Sequence, residues 1–150
     1  MAGLYFEEFV LERRFVHPVR RTVTETDNVL FNALTFNPAA VHIDHNYAAS
    51  TEFGRPLVNS VLTLGIVIGL SIYDTTLGTT VANLGMTETV FPKPVFVGDT
   101  VRVETLVADL RPSKSRPDQG IVTFEHSGFN QRDQIVCKTR RAALMLRKPA

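Results

Sequence analysis

Three features of this 150-residue chain predict an α+β fold, with a curled, mainly antiparallel sheet wrapped around one long buried helix. The run from Leu57 to Tyr73 is apolar almost throughout, and a helix that is apolar on nearly every side belongs in an interior. Beyond it the period changes. Val101-Arg102-Val103-Glu104 and Val122-Thr123-Phe124-Glu125 alternate apolar and polar residues, as half-buried strands do. Gly98-Asp99 and Asn130-Gln131-Arg132-Asp133 supply the turns between them. A sheet assembled from such segments has one apolar face, and the helix covers it.

In chain order, Val19 to Thr24 reads as a first strand. Thr26 or Asp27 is suited to cap a short helix ending near Leu34, because either side chain accepts from an orphan N–H at a helix start. Asn37-Pro38 stiffens the turn that follows, and Asp44 is a natural N-cap for a short helix through Tyr47-Ala48-Ala49. Inside the apolar run, Gly65 and Gly69 have the spacing of a helix-pairing motif in lipid. Asn59, Ser60 and Thr63 interrupt the run, however, and a spanning helix needs about 20 predominantly apolar residues. No membrane partner is therefore expected. The two glycines, each costing roughly 1 kcal/mol relative to alanine, read as points of close approach to the sheet. Val81 to Pro92 is predicted as a strand entering a loop, Arg111 to Gly120 as a polar connection, and Ile135 to Leu146 as the last strand. Arg140-Arg141 breaks the alternation of that strand, which suggests a bulge or an exposed edge. Four or five strands result.

The bulk numbers narrow the function. A single domain over residues 1–150 suffices, large enough to bury roughly 70% of its unfolded surface. The chain is 44% hydrophobic and 21% charged with a net charge of +1, which argues against a nucleic-acid partner. One cysteine, Cys137, allows neither an internal disulfide nor a cysteine zinc cluster. The start, running into Tyr5-Phe6-Glu7-Glu8, has no cationic segment and no signal-like apolar core, so a cytoplasmic location is expected. There is no nucleotide-binding glycine loop and no G-x-S-x-G elbow.

The chemistry concentrates between Phe36 and Ser60. His42 lies between a proline-containing turn and a helix start, flanked by Val41 and Ile43, and imidazole is the side chain suited to proton transfer near neutral pH. The set Asn37-Pro38, His42-Ile43-Asp44, Tyr47-Ala48, Phe53-Gly54-Arg55-Pro56-Leu57, the helix after Ser60 and Pro94-Val95-Phe96-Val97-Gly98-Asp99-Thr100 resembles the MaoC-like, or (R)-specific, enoyl-CoA hydratases, which have the hot-dog fold. The resemblance spans roughly residues 18 to 146. It implies a homodimer joined edge to edge through its sheets, acyl-CoA thioesters as substrates, and no metal or organic cofactor.

Hydration of an enoyl thioester needs a base for water, a proton for the α-carbon and donors for the charge on the thioester oxygen. The resemblance assigns His42 to the first. The N–H groups at the start of the Ser60-led helix suit the last; the resembling enzymes usually carry glycine at that position, and Ser60 offers the same N–H. Its hydroxyl is alternatively a cap. The family pairs its histidine with an aspartate in a pattern of the type Asp-x-Asn-Pro-x-His. Here Thr35 or Asn37 occupies the aspartate position, depending on which motif residue anchors the comparison, and neither is an acid. An amide or hydroxyl orients water but cannot take its proton. His42 then acts alone, or Asp27, Glu52 or Glu125 folds into reach, or the substrate brings a carboxylate of its own.

Asn37 is thus expected beside His42 in the catalytic group, and Thr35 and Asn59 on the substrate side. Arg55 is a candidate for a substrate carboxylate or for a pair with Glu52. Arg116, with Arg111 and Lys114, is a candidate for the phosphates of CoA or simply part of a solvated loop. Glu125 and His126 are neighbours in a strand and face opposite ways, so they form no dyad; His17 and His45 receive no role. The leading reading is a hydro-lyase that reversibly converts a 2-enoyl-CoA, including a branched or dicarboxylic mesaconyl-type ester, into a 3-hydroxyacyl-CoA. An acyl-CoA thioesterase and a non-catalytic acyl-CoA-binding subunit that has lost its acid stand as alternatives.

Overall fold

Asn59 and the apolar run behind it form the axis of the molecule. In the computed structural model, which describes residues 3–149, the run folds as α4 (Ser60–Thr75), preceded by α1 (Glu25–Leu34), α2 (Ala40–Ile43) and α3 (His45–Ala49). The strands are β1 (Arg14–Val16), β2 (Arg21–Thr22), β3 (Thr80–Val90), β4 (Thr100–Pro112), β5 (Gln119–Phe129) and β6 (Ile135–Leu146). They form one antiparallel sheet in the order β1-β4-β5-β6-β3, with β2 pairing on β4. α4 packs across β4, β5 and β6.

Several boundaries differ from the sequence expectation. The first expected strand shrinks to Arg21–Thr22, and β1 lies ahead of it. α1 is capped by Thr24, whose hydroxyl accepts the Asp27 N–H while the Asp27 carboxylate reaches back to the Thr24 N–H, a reciprocal capping box. Asp27 is therefore the third residue of the helix and not its cap. β3 stops at Val90, and β4 and β5 extend into the expected polar connection, leaving only residues 113–118 between them. Asp44 does cap α3, accepting from the Tyr47 N–H.

The largest correction concerns α4. Only Thr63, Val67, Ser71 and Thr75 are buried, at intervals of four along one stripe. Val61, Gly65, Gly69 and Tyr73 are exposed on the other side. A Cβ built on Gly65 or Gly69 meets nothing within 4 Å, so neither glycine is a point of close approach. That role belongs to Gly128 on β5, where a Cβ would come within 2.4 Å of Val67 Cγ2. Beneath the helix, Val67 packs with Val101, Val103, Val136 and Cys137.

Past the helix end, the N-terminal segment completes the cover. The N–H groups of Gly3 and Leu4 donate to the carbonyls of Leu77 and Thr75, and Phe9 meets Phe124 edge-on with ring centroids 5.3 Å apart. The two apolar zones are separated by a buried polar row, His17, Thr105, His126 and Arg141. Arg141 therefore keeps the alternation of β6 and faces inward. There is no bulge between Arg140 and Arg141, and β6 is an interior strand. Glu125 faces the other way, against Lys138.

Candidate active site

Three asparagines build the site before any catalytic group enters it. Asn28 and Asn32 lie one turn apart on the inner face of α1, each 1% exposed, and Asn59 is 5% exposed. Asn28 Nδ2 donates to the carbonyls of both His42 and Leu57, at 2.9 Å each. Its Oδ1 accepts the Asn59 N–H at 2.9 Å, and Asn59 Nδ2 donates to Asn32 Oδ1 at 2.9 Å. Asn59 Oδ1 then caps α4 by accepting the Val61 N–H. One amide cluster thus fixes α1, the His42 backbone and the start of α4 relative to one another. Buried amides hold such geometry because breaking one bond strands its partner.

His42 is the side chain this frame presents. Its Nδ1 lies 2.9 Å from the Leu57 carbonyl. A carbonyl oxygen only accepts, so Nδ1 carries a proton, and in the neutral imidazole Nε2 keeps a lone pair. His42 and Ser60 line two adjoining cavities. The first, of about 300 Å³, is largely apolar, walled by Phe53, Leu57, Phe91, Pro94 and Val95 with Thr63 and Lys93. The second, of about 390 Å³, gathers Thr35, Asn37 and Asn59 around the same histidine and serine.

Ser60 is the first residue of α4, and its hydroxyl is not the cap. With Asn59 Oδ1 taken by Val61, the Ser60 N–H has no acceptor among the described residues. It lies where a ligand oxygen in either cavity would be polarised by the helix start.

The sequence candidates divide accordingly. Thr35, Asn37, His42, Asn59 and Ser60 come together around one cavity. Asn37 accepts the Ala39 N–H through Oδ1, leaving its NH₂ without a described partner. Thr35 donates its hydroxyl proton to the Phe31 carbonyl. Asn59 lines the cavity, but both ends of its side chain are engaged by the protein. Arg55 lies over the Phe96 ring, 3.9 Å from its centre, and lines neither cavity. Arg116 donates to Gln119 at the β4–β5 turn, and the β5–β6 register puts that turn at the opposite end of the sheet from Val136. At about 3.3 Å per residue, the intervening strand removes Arg116 from this chain's own cavity by roughly 30 Å.

Among the described residues, no carboxylate lines either cavity. Asp27 is held by Thr24 and Arg21, and Glu125 by Lys138. Cys137 is buried, and burial pushes its thiol up to about 11, which removes it as a nucleophile. Among the described residues, no three His, Cys, Asp or Glu side chains gather as metal ligands would, and no helix is long and apolar enough to cross a membrane.

Sequence reasoning missed Asn28, Asn32, Thr63 and Lys93. A signal for the first two existed, since residues four apart on a helix share a face and two amides on a buried face need partners. For Lys93 the signal was the pair of prolines around it, which fixes where its backbone runs.

A sheet folded around one central helix, with an imidazole at that helix's N-terminus, defines a hot-dog protein with a candidate acid–base site. The MaoC like domain family matches residues 8–130, and the chain belongs to that family. It is 35% identical over 141 residues to mesaconyl-CoA hydratase of Cereibacter sphaeroides, which covers 90% of this chain and 39% of that protein. It is 34% identical over 146 residues to β-methylmalyl-CoA dehydratase of Chloroflexus aurantiacus, covering 97% and 41%. The chain thus spans about two fifths of the length of these curated relatives. The MaoC-like dehydratase structure from Rhodospirillum rubrum aligns with a TM-score of 0.84 at 30% identity, over 99% of this chain and 100% of the other. A double hotdog fold from Mycobacterium tuberculosis aligns with a TM-score of 0.87 at 24% identity, over 98% of this chain and 45% of its own. The expected hot-dog fold is the observed one.

Proposed function

We propose that this chain hydrates a 2-enoyl-CoA reversibly to a 3-hydroxyacyl-CoA, with His42 as the single acid–base group. The observation that carries this reading is the bond from His42 Nδ1 to the Leu57 carbonyl, 2.9 Å long, which leaves Nε2 basic where two cavities meet the first N–H of α4. In the forward direction Nε2 takes a proton from water as the water oxygen adds to the β-carbon. The π electrons move to the thioester oxygen, where the Ser60 N–H holds the developing charge. The imidazolium then returns the proton to the α-carbon as the carbonyl re-forms. One base serving both carbons from one side gives syn addition of water. The NH₂ of Asn37 and the hydroxyl oxygen of Thr35 are the groups suited to orient the water. Asn59 acts on structure, by holding the helix start in place. The names of the curated relatives, a mesaconyl-CoA hydratase and a β-methylmalyl-CoA dehydratase, support a CoA ester as substrate.

The working unit in this reading contains two hot-dog units side by side. β3 ends the sheet, with one edge unpaired among the described residues, and Leu84 and Val90 on it are each 50% exposed. A strand of 11 residues with an open edge is an adhesive surface. A second copy of the chain, paired β3 to β3, covers it and extends the sheet. A cytoplasmic setting goes with a CoA-ester substrate.

The test follows the absorbance of the enoyl thioester with crotonyl-CoA and mesaconyl-CoA. Wild-type protein consumes at least one of them, and His42→Ala lowers kcat by about 10²–10⁴-fold, the usual contribution of a general base. Undiminished turnover in the variant ends the assignment. Release of free thiol without loss of the double bond would instead mark a thioesterase.

A further inference from the structure

We propose that Lys93 sets the substrate class of this site by pairing with a carboxylate carried on the acyl group, so that the preferred substrate is the CoA thioester of an unsaturated dicarboxylic acid. This rests on the hydratase reading above and deepens it.

Lys93 lines the first cavity together with His42 and Ser60, and it alone among the lining residues carries a permanent charge. The remaining wall is mostly hydrocarbon and aromatic. Among the described residues no acid lines either cavity, and Lys93 makes no hydrogen bond or ion pair with any of them. Lys138 and Lys148, by contrast, rest on Glu125 and Glu8. An ammonium beside an apolar wall is screened less from an anion than one in open water. An acyl group with a distal carboxylate supplies that anion; a plain alkenoyl group does not.

The position of the cation relative to the base is built into the backbone. Pro92 and Pro94 flank Lys93, fixing φ on both sides and biasing Lys93 to extended geometry. Immediately beyond, the Val95 carbonyl accepts the Val58 N–H at 2.9 Å, and Leu57 pairs with Phe96. The Leu57 carbonyl is also the acceptor for His42 Nδ1. Cation and base therefore hang from the two sides of one short bridge.

The phosphates of CoA are the competing anions, since ammonium groups bind both. The placement favours the acyl carboxylate. Lys93 shares its cavity with the imidazole and the helix N-terminus, where the thioester carbonyl and the reacting carbons must lie, and the whole pantetheine arm separates those atoms from the phosphates.

Lys93→Met, Lys93→Arg and Lys93→Glu decide between them, measured with mesaconyl-CoA and crotonyl-CoA. Lys93 is exposed, so these changes remove no core contact. Loss of one charge-assisted contact predicts a fall of about 10- to 100-fold in kcat/KM for mesaconyl-CoA with Lys93→Met. The ratio of kcat/KM for mesaconyl-CoA over crotonyl-CoA therefore falls in Lys93→Met, Lys93→Arg keeps the preference and Lys93→Glu reverses it. Equal losses on both esters, or no loss on either, overturn the proposal; the first outcome would put Lys93 on the CoA moiety. If wild-type protein converts neither ester, the hydration reading fails on its own. Calorimetric binding of the same two esters then decides the Lys93 proposal: selective weakening of mesaconyl-CoA by Lys93→Met supports it, and unchanged selectivity overturns it.

Discussion

His42 Nδ1 and the Leu57 carbonyl are 2.9 Å apart, and the same carbonyl accepts from Asn28 Nδ2 at 2.9 Å. The imidazole is thus oriented by a backbone oxygen that a buried amide also holds. A carbonyl fixes the tautomer as an aspartate would, but it offers no full negative charge to stabilise an imidazolium. The site orients its imidazole but is electrostatically weaker than an Asp–His pair.

That arrangement makes Asn28 the residue whose loss damages structure and turnover together. Asn28→Ala removes both donors to the His42 and Leu57 carbonyls and the acceptor of the Asn59 N–H. Stranded buried groups predict a loss of about 2–3 kcal/mol in unfolding free energy by denaturant titration. A displaced imidazole predicts a fall in kcat of roughly 10- to 100-fold in the folded fraction. Normal kcat in that variant would show that the imidazole is oriented without the amide cluster.

Asn37→Asp restores an acid where the site lacks one. The substitution is isosteric, and the aspartate keeps an oxygen for the Ala39 N–H that Asn37 Oδ1 now accepts. Its second oxygen replaces the NH₂ in the cavity shared with His42 and can take a proton from water, which an amide cannot. The expected outcome is a rise in kcat, up to about 10²-fold if the new acid becomes the working base. Asn37→Ala, which loses the turn contact as well, is expected to lower kcat. Initial rates of both variants at saturating ester decide it.

What the sequence revealed and what it hid follow from where each interaction acts. The apolar run, the alternating strands and the Asp44 cap depend on neighbours within a few residues, and these were readable. So was the opposition of Glu125 and His126 across the sheet. The amide cluster joins residues 28, 32, 42, 57 and 59, and no local pattern records such a closure. The run from Leu57 also misled, because hydropathy reports the need for burial without naming the burying partner. Only one stripe of α4 faces its own sheet.

The unburied stripe gives a test of what covers it. Val61 is 58% exposed and Tyr73 57% exposed, and Gly65 and Gly69 lie between them with open space around each Cβ position. In an isolated chain, Gly65→Ala and Gly69→Ala would stabilise the helix by up to about 1 kcal/mol each. Against a second hot-dog unit, the added methyl groups intrude on a packed contact and cost about 1–3 kcal/mol. A β3-to-β3 dimer whose two α4 helices meet along this stripe therefore predicts weaker dimerisation of the double variant by sedimentation at decreasing concentration. Unchanged assembly with a higher melting temperature would mean that the glycine face is free.

His126 makes acid stability a readable property of the buried row. Arginine only donates, so Arg141 Nε, 3.2 Å from His126 Nε2, requires that nitrogen to be unprotonated. His126 Nδ1 then donates to Thr105 Oγ1, the Thr105 hydroxyl to His17 Nε2, and His17 Nδ1 to Asp74 Oδ2. Burial, and then the nearby positive charge of Arg141, hold the His126 imidazole well below its ordinary value of 6.5. The folded protein keeps it neutral, while the unfolded chain takes up a proton once the pH drops below about 6.5. The unfolded state binds more protons in that window, so stability rises with pH there and falls on acidification, with a slope from this group of at most one proton. The stabilisation is fully present above pH 7 and is lost progressively below 6.5. His126→Gln removes the titrating group. Denaturant unfolding at pH 5, 6, 7 and 8 is therefore expected to show a shallower acid slope in the variant than in the wild type, and parallel slopes would mean that His126 does not titrate differently in the two states.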